Sequence, residues 1–293
     1  MRSTFVVWLF GLMALLPLSV LHRLGALLGW ATYMLSGSYA KRIRENLEIY
    51  SAGRPTRKLQ NLVLANVAEA GKSIAELPWV WRRPVAKVLS SVQNCYGREY
   101  LDAAQQHGKG LIVLTPHIGC FEIIGLYVAA EMPMTCMYST PKRAWMDDVI
   151  RSGRQRGQML LARADIGGVR TLFKALKKGE AIGLLPDQVP SHGEGEWAEF
   201  FGRPAYTMTL AGRLLESSGA SVLLSYVLRL PHGRGYDIYF APLTLQSDVP
   251  VARQINIALE QIIRSCPEQY LWSYNRYKAP PGSIPVEMAK EHQ

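Results

Sequence analysis

The sequence predicts an α/β fold: a central mixed, mainly parallel sheet flanked by helices, with an apolar amino-terminal membrane helix. Three observations carry that expectation. Short aliphatic runs such as Leu111–Leu114 and Ala181–Leu185 alternate with longer segments of helical period, the pattern of a sheet covered by helices. Ser221–Leu230 and Tyr236–Ala241, joined by Pro231–Gly235, read as one hairpin and make the sheet mixed. Two apolar runs stand back to back at the amino terminus, Phe5–Leu21 and Leu24–Leu35. The expected division is 1–35 as membrane anchor or interfacial helices and 36–293 as a single α/β domain, with ample chain for a core.

Taken in order, the first run is bounded by Arg2 before and by His22 and Arg23 after. A spanning helix needs about 20 apolar residues, so this run is marginal, and spanning the bilayer or lying in its interface both stay open. No small-x-small cleavage site marks a removable signal peptide. The basic residues that follow favour a cytoplasmic remainder if the run spans. Thr56–Leu77 has an amphipathic helical period, with Leu59, Leu62, Val63, Ala70, Ile74 and Leu77 on or near one face. Trp79, Trp81, Arg82 and Arg83 follow, suited to a membrane interface or to a core. Val85–Cys95 ends in a strand, and Tyr100–Gln106 is a short helix stopped by Gly108.

Leu111–Leu114 reads as a buried strand, broken by Thr115 and Pro116, since proline cannot donate to a sheet ladder. Gly119–Ala130 is helical, with Phe121, Ile124 and Val128 recurring on one face. His117 therefore stands at the carboxyl end of a strand and just ahead of a helix, where open α/β sheets bind ligands. Beyond it come a strand at Thr135–Ser139, helices at Trp145–Arg156 and Gly168–Lys178, and the strand Ala181–Leu185 ending in Pro186, Asp187 and Gln188. A polar loop, Ser191–Glu196, leads to Phe200, Phe201, Gly202, Arg203 and Pro204. Helices at Met208–Ser218, stopped by Gly219, and at Val251–Arg264 complete the reading, without internal repeats.

Lys plus Arg number 33 against 23 for Asp plus Glu, a formal net charge of +10. That balance suits nucleic acid, an anionic membrane surface or an acidic protein partner. No aromatic-basic RNA motif, zinc finger or helix-turn-helix pattern is present, which ranks nucleic acid last. Cys95, Cys120, Cys136 and Cys266 are scattered without a CxxC, which fits buried thiols in a reducing compartment better than disulfides or a zinc site.

Glu122 lies five positions after His117 and shares a face with it only if His117 sits in the turn before the helix. There the carboxylate can hold one imidazole nitrogen and leave the other as a general base. The alternative has His117 cap the helix while Glu122 favours the positive end of its dipole. Cys120 offers a rival nucleophile, although a small residue in a first helical turn more often packs than reacts. No second His or Cys cluster completes a metal site around His117, Cys120 and Glu122. His107, His192 and His232 occupy polar or turn segments and receive no role.

With His117, Glu122, the run Leu184–Gln188, the run Phe200–Pro204 and the closing block Pro267–Lys278 in this order, the chain resembles the lipid A late acyltransferases. These are the lauroyl/myristoyl transferases within the lysophospholipid acyltransferase superfamily. The resemblance implies transfer of a fatty acyl chain from acyl carrier protein to a hydroxyl of a lipid A precursor, at the cytoplasmic face of the inner membrane. It implies no cofactor beyond acyl-acyl carrier protein as co-substrate, and no metal. It puts the catalytic pair on His117 and Glu122 and substrate binding on Arg154 and Asp187, with Arg156 a nearby rival of Arg154. Many members carry a second acid two positions after that Asp, where this chain has Val189. Phe200, Phe201 and Gly202 are expected to shape the site.

On that reading His117 takes the proton of the acceptor hydroxyl, Glu122 orients the ring, and backbone N–H groups near the helix start hold the oxyanion. The competing readings are an acyltransferase for another lipid, such as an ornithine lipid or a lysophospholipid, and a catalytically silent membrane-bound partner of an envelope machine.

Overall fold

The computed structural model of the protein describes residues 2–53, 57–246 and 248–283. The strands are β1 (Val92–Tyr96), β2 (Leu111–Leu114), β3 (Met134–Tyr138), β4 (Met159–Arg163), β5 (Ala181–Leu184), β6 (Gly195–Phe200), β7 (Arg203–Met208), β8 (Ser221–Arg229) and β9 (Tyr236–Pro242). Seven of them form one sheet in the order β1-β9-β8-β2-β5-β3-β4, and β6 and β7 form a separate hairpin. Every pairing in the large sheet is parallel except β8 with β9, which is the expected hairpin. β2 and β5 lie at the centre, and all four residues of each are buried. Their uninterrupted apolar character follows from cover on both faces.

The helices are α1 (Arg2–Leu15), α2 (Leu18–Leu35), α3 (Gly37–Tyr50), α4 (Arg57–Ala75), α5 (Leu77–Arg82), α6 (Val85–Leu89), α7 (Arg98–His107), α8 (Glu122–Ala129), α9 (Ala144–Arg154), α10 (Ile166–Lys177), α11 (Leu210–Ser218) and α12 (Val251–Ser265). Thr56, the start of the helix expected at Thr56–Leu77, lies outside the described residues, and α4 ends at Ala75. Alternation along β2 divides the core. Ile112 and Leu114 pack with residues of α3, α4, α10, α11 and α12 on one face. Leu111 and Val113 pack with residues of α2, α5, α7 and α8 on the other.

The expected apolar membrane helix is not present as one element. The chain breaks at Leu16 and Pro17, where Pro17 is extended (φ −61°, ψ 147°), and among the described residues no helix is long and apolar enough to cross a membrane. At about 1.5 Å per residue, α1 reaches only about 21 Å against a hydrocarbon core of about 30 Å. α2 carries His22 and Arg23 and lies against α4. The approach of these two helices depends on glycine: a Cβ on Gly71 would come within 2.0 Å of the Gly25 carbonyl oxygen.

A buried ionic cluster fastens that layer to the sheet. Arg229, at the end of β8, donates Nε to Glu76 Oε2 at 2.9 Å and Nη1 to Glu69 Oε2 at 2.6 Å. Tyr236 Oη and His22 Nε2 reach the same Glu76 oxygen at 2.8 and 3.1 Å. Burial pushes the Glu76 carboxyl up, but the Arg229 charge and hydrogen bonds and the His22 contact outweigh it and hold the group far below its usual range.

Helices α3, α5 and α6, strand β4 and the β6–β7 hairpin were not anticipated from sequence. β4 is an edge strand paired with β3, and its exposed Leu160 and Arg163 blur the apolar run. The β6–β7 hairpin turns on Phe201 and Gly202, both at positive φ (49° and 75°). A phenylalanine is an unusual opening for such a turn, which favours Asn, Asp or Gly. It is held by burial and by a bond from its N–H to Glu260 Oε1 at 2.9 Å.

Candidate active site

β2 and β5 are neighbours in register, with Leu114 opposite Leu184. Each strand is followed by the same short device, one residue and then a proline: Thr115–Pro116 after β2 and Leu185–Pro186 after β5. Lacking an N–H, each proline ends the ladder, and the residue three beyond each matched leucine emerges at the same level. Those residues are His117 and Asp187. Asp187 Oδ1 lies 2.8 Å from His117 Nδ1, and Oδ2 accepts the His117 backbone N–H at 2.9 Å.

Asp187 is buried. Burial raises its pKa, but the His117 ring, the two His117 bonds and the Arg276 charge lower it further, so the carboxyl is held below its usual value. As a carboxylate it only accepts, which assigns the imidazole hydrogen to Nδ1 and the lone pair to Nε2. The half-buried Gln188 completes the arrangement, its Nε2 donating to His117 Nε2 at 3.1 Å. Phe121 packs edge-on to the ring, with centroids 4.8 Å apart.

The loop after His117 needs glycine at 119. Gly119 sits at φ +56°, and a Cβ there would fall 1.7 Å from the Val227 carbonyl oxygen. Its N–H donates to Gln269 O at 3.0 Å, and the His117 carbonyl accepts from Leu271 N at 3.0 Å. The closing block recognised in the sequence thus runs beside the loop that carries His117. Within it Tyr274 Oη accepts the Val189 N–H at 3.0 Å, and the buried Arg276 donates to Tyr206 O at 2.8 Å and Thr207 Oγ1 at 2.6 Å.

The expected contact of Glu122 with His117 is replaced. Glu122 opens α8 with its carboxylate buried and turned to α5 and α9. Arg154 Nε donates to Oε2 at 2.9 Å, Arg154 Nη2 bonds to Oε1, and Trp81 Nε1 donates to Oε2 at 3.0 Å. The reason is local: five residues along the turn and first helical residue carry Glu122 past the imidazole and into reach of the guanidinium. Arg154 remains charged, since the effect of Glu122 outweighs burial and its pKa is raised. Gly153 lets α9 approach Trp81, because a Cβ there would lie 2.6 Å from the indole Cγ. Arg156, the rival, instead donates to the carbonyls of Val80 and Arg83.

Asp187, expected to bind substrate, is thus the partner of His117. Cys120 is buried, its thiol pKa raised well above the ordinary value first by burial and then by Glu76, so it is poorly placed for a thiolate role. Phe200 and Phe201 are buried in the hairpin core. Beside the site, an apolar cavity of about 50 Å³ is bounded by Phe121, Ile124, Gly125, Met134, Met137 and Met159, with Glu122 and Arg154 also on its wall. Sequence reasoning missed Gln188, Trp81 and Arg276 as members of this neighbourhood. The repeated Leu-x-Pro before His117 and Asp187 was the available signal for their pairing.

An imidazole with its hydrogen held on Nδ1, its Nε2 met by the side-chain amide of Gln188, and an apolar cavity adjoining it can deprotonate a hydroxyl next to a long-chain acyl group once that hydroxyl replaces the amide. Comparison with known proteins points to acyl transfer. Over 286 residues the chain is 26% identical to the lipid A biosynthesis lauroyltransferase of Escherichia coli (strain K12), covering 96% of this chain and 91% of the relative. It is 27% identical to the palmitoleoyltransferase of lipid A biosynthesis from the same organism (94% and 90% covered) and 25% identical to the myristoyltransferase (90% and 82%). The family described as bacterial lipid A biosynthesis acyltransferase matches residues 2–279, nearly the whole chain, and the protein belongs to that family.

Proposed function

We propose that the protein transfers a fatty acyl chain from acyl carrier protein to a hydroxyl of a lipid A precursor, with His117 as general base held by Asp187. The observation that carries this reading is the Asp187–His117 Nδ1 bond, which leaves the Nε2 lone pair for the substrate. The acceptor hydroxyl gives its proton to Nε2 as its oxygen attacks the thioester carbonyl. The tetrahedral intermediate then collapses, the C–S bond breaks, and the imidazolium protonates the departing sulfur. Asp187 keeps the ring oriented and stabilises its charged form in between. No acyl-enzyme is required, in keeping with the buried Cys120.

The cavity beside Phe121 is suited to the acyl chain. At about 50 Å³ it is smaller than a fatty chain, but three of its walls are methionines, unbranched side chains that rearrange readily. Glu122 and Arg154 form a neutralised part of that cavity's wall, tied to Trp81, and we assign the group a positioning role.

The membrane reading now rests on surface rather than on span. Leu35 is 87% exposed, Met34 78% and Ile74 69%, and Leu15, Leu27, Leu28 and Leu64 are also exposed. Apolar area of this extent on α1, α2 and α4 suits helices lying in the plane of an interface. Insertion there, on the cytoplasmic face of the inner membrane, would bring a lipid acceptor to the enzyme without a spanning segment.

The test is transfer of labelled acyl chains by purified protein to a lipid A precursor, an ornithine lipid and a lysophospholipid, each with acyl carrier protein or coenzyme A as carrier. Transfer to the lipid A precursor from acyl carrier protein, lost by roughly 10²–10⁴-fold in a folded His117→Ala variant, is expected. A folded His117→Ala enzyme with normal turnover contradicts the mechanism. Preference for another acceptor or carrier overturns the substrate assignment.

A further inference from the structure

The acyl transfer proposed above needs a donor for the carbonyl oxygen, which becomes negative when the hydroxyl oxygen adds to the thioester carbon. The sequence placed that duty on backbone N–H groups near the helix start, and in the loop leading to that helix the N–H groups from His117 to Cys120 are bonded within the protein. His117 N–H donates to Asp187 Oδ2 at 2.9 Å, Ile118 N–H to Pro116 O at 2.8 Å, Gly119 N–H to Gln269 O at 3.0 Å and Cys120 N–H to Val227 O at 3.2 Å. Arg154 is turned to Glu122 by two nitrogens. The donor in contact with the reactive nitrogen is the side-chain amide of Gln188, 3.1 Å from His117 Nε2.

Its orientation follows from the chemistry of its neighbours. Asp187 keeps hydrogen on Nδ1, Nε2 therefore accepts, and only the NH₂ end of Gln188 can face it. That amide stands where the acceptor oxygen must come to deliver its proton. The backbone on either side is anchored, by Asp187 on His117 and by Val189 N–H on Tyr274 Oη at 3.0 Å, whereas the Gln188 side chain is half-buried and carries three rotatable bonds. When the hydroxyl displaces it from Nε2, a rotation of those bonds moves the N–H by only a few ångströms. The carbonyl oxygen under attack lies one bond beyond the carbon that the hydroxyl oxygen is joining, so both targets fall in one small volume.

We infer that Gln188 is a catalytic residue: it covers the base until the acceptor hydroxyl takes its place, and its amide then donates to the oxyanion of the tetrahedral intermediate. This inference rests on His117 being the general base. The bond formed joins hydroxyl oxygen to carbonyl carbon, the carbonyl π pair moves to oxygen and returns when the C–S bond breaks, and the proton travels from hydroxyl to His117 to sulfur. Gln188 supplies a hydrogen bond and gains or loses no atom.

The experiment compares wild type with Gln188→Ala and Gln188→Glu, measuring kcat and the acceptor KM for acyl carrier protein donor and lipid A precursor. Inhibition by a phosphonate analogue of the tetrahedral intermediate is measured beside them. Loss of the oxyanion donor lowers kcat by roughly 10²–10³-fold with acceptor KM little changed, and weakens the phosphonate by a comparable factor. Gln188→Glu, close to isosteric but without N–H donors, is expected to be at least as impaired and serves as the answer if Gln188→Ala does not fold. Unchanged kcat with a lower acceptor KM, or unchanged phosphonate affinity, would overturn the inference and leave Gln188 as a cover on the base. His117→Ala in the same assay separates the two levels: normal turnover there removes the general base itself, whatever the Gln188 variants do.

Discussion

Replacing Asp187 by asparagine tests the site through one proton. The two Asp187 oxygens accept from His117 Nδ1–H at 2.8 Å and from the His117 backbone N–H at 2.9 Å. Asparagine keeps one oxygen and exchanges the other for NH₂. The backbone N–H can only donate, so the amide oxygen must face it, and the NH₂ group then faces Nδ1. That end donates to Nδ1 and drives the ring hydrogen to Nε2, where a base needs its lone pair. Restoring the productive tautomer means turning the amide and leaving two buried donors opposed, at about 1–3 kcal/mol each. A total of about 2–6 kcal/mol, at about 1.36 kcal/mol per tenfold, lowers the reactive tautomer roughly 30-fold to 10⁴-fold. Steady-state transfer from labelled acyl carrier protein measures the loss, circular dichroism checks the fold, and ¹⁵N shifts of a His117-labelled sample report which ring nitrogen carries hydrogen. A folded Asp187→Asn enzyme with more than about a third of normal kcat and hydrogen still on Nδ1 would refute the argument.

Two further outcomes follow from the buried ion pairs. Glu122→Ala leaves the Arg154 charge uncompensated and should destabilise the protein by about 3–5 kcal/mol in denaturant unfolding, whereas adding Arg154→Met should restore part of that loss. Unchanged stability with abolished turnover would instead return Glu122 to the imidazole, as the spacing first suggested. For Glu76 the folded pKa is depressed, so its contribution is fully present above the ordinary carboxylate value of about 4.3 and is lost as pH falls below it toward the folded value. The gap in melting temperature between wild type and Glu76→Gln should therefore be widest near neutrality and shrink below about pH 4.3. A gap constant from neutral to strongly acid pH would contradict the assigned cluster.

Most helices and the central strands were legible because their signals are local. The apolar period of α4 and α12, the glycine stops at Gly108 and Gly219, and the buried runs of β2 and β5 all declare themselves within a window of a few turns. The β8–β9 hairpin was equally local. β4 escaped because an edge strand is half exposed, and the β6–β7 turn escaped because Phe201 takes a positive φ that tertiary packing enforces. The amino terminus was read as membrane-seeking from its composition, but whether it forms one helix or two depended on the break at Pro17 and on the fit of α2 against α4.

The sequence by itself determined that His117 ends a strand at the mouth of an α/β sheet with Glu122 five positions on, and its family resemblance added Arg154 and Asp187. Only the tertiary structure decided which of them meet. Glu122 is five residues from His117 and Asp187 is seventy, yet the distant carboxylate holds the ring and the near one holds Arg154. The physical reason is strand order. Spacing along a helix is a local property that can be counted, whereas the adjacency and register of β2 and β5, which set His117 and Asp187 at one level, come from how the whole sheet packs.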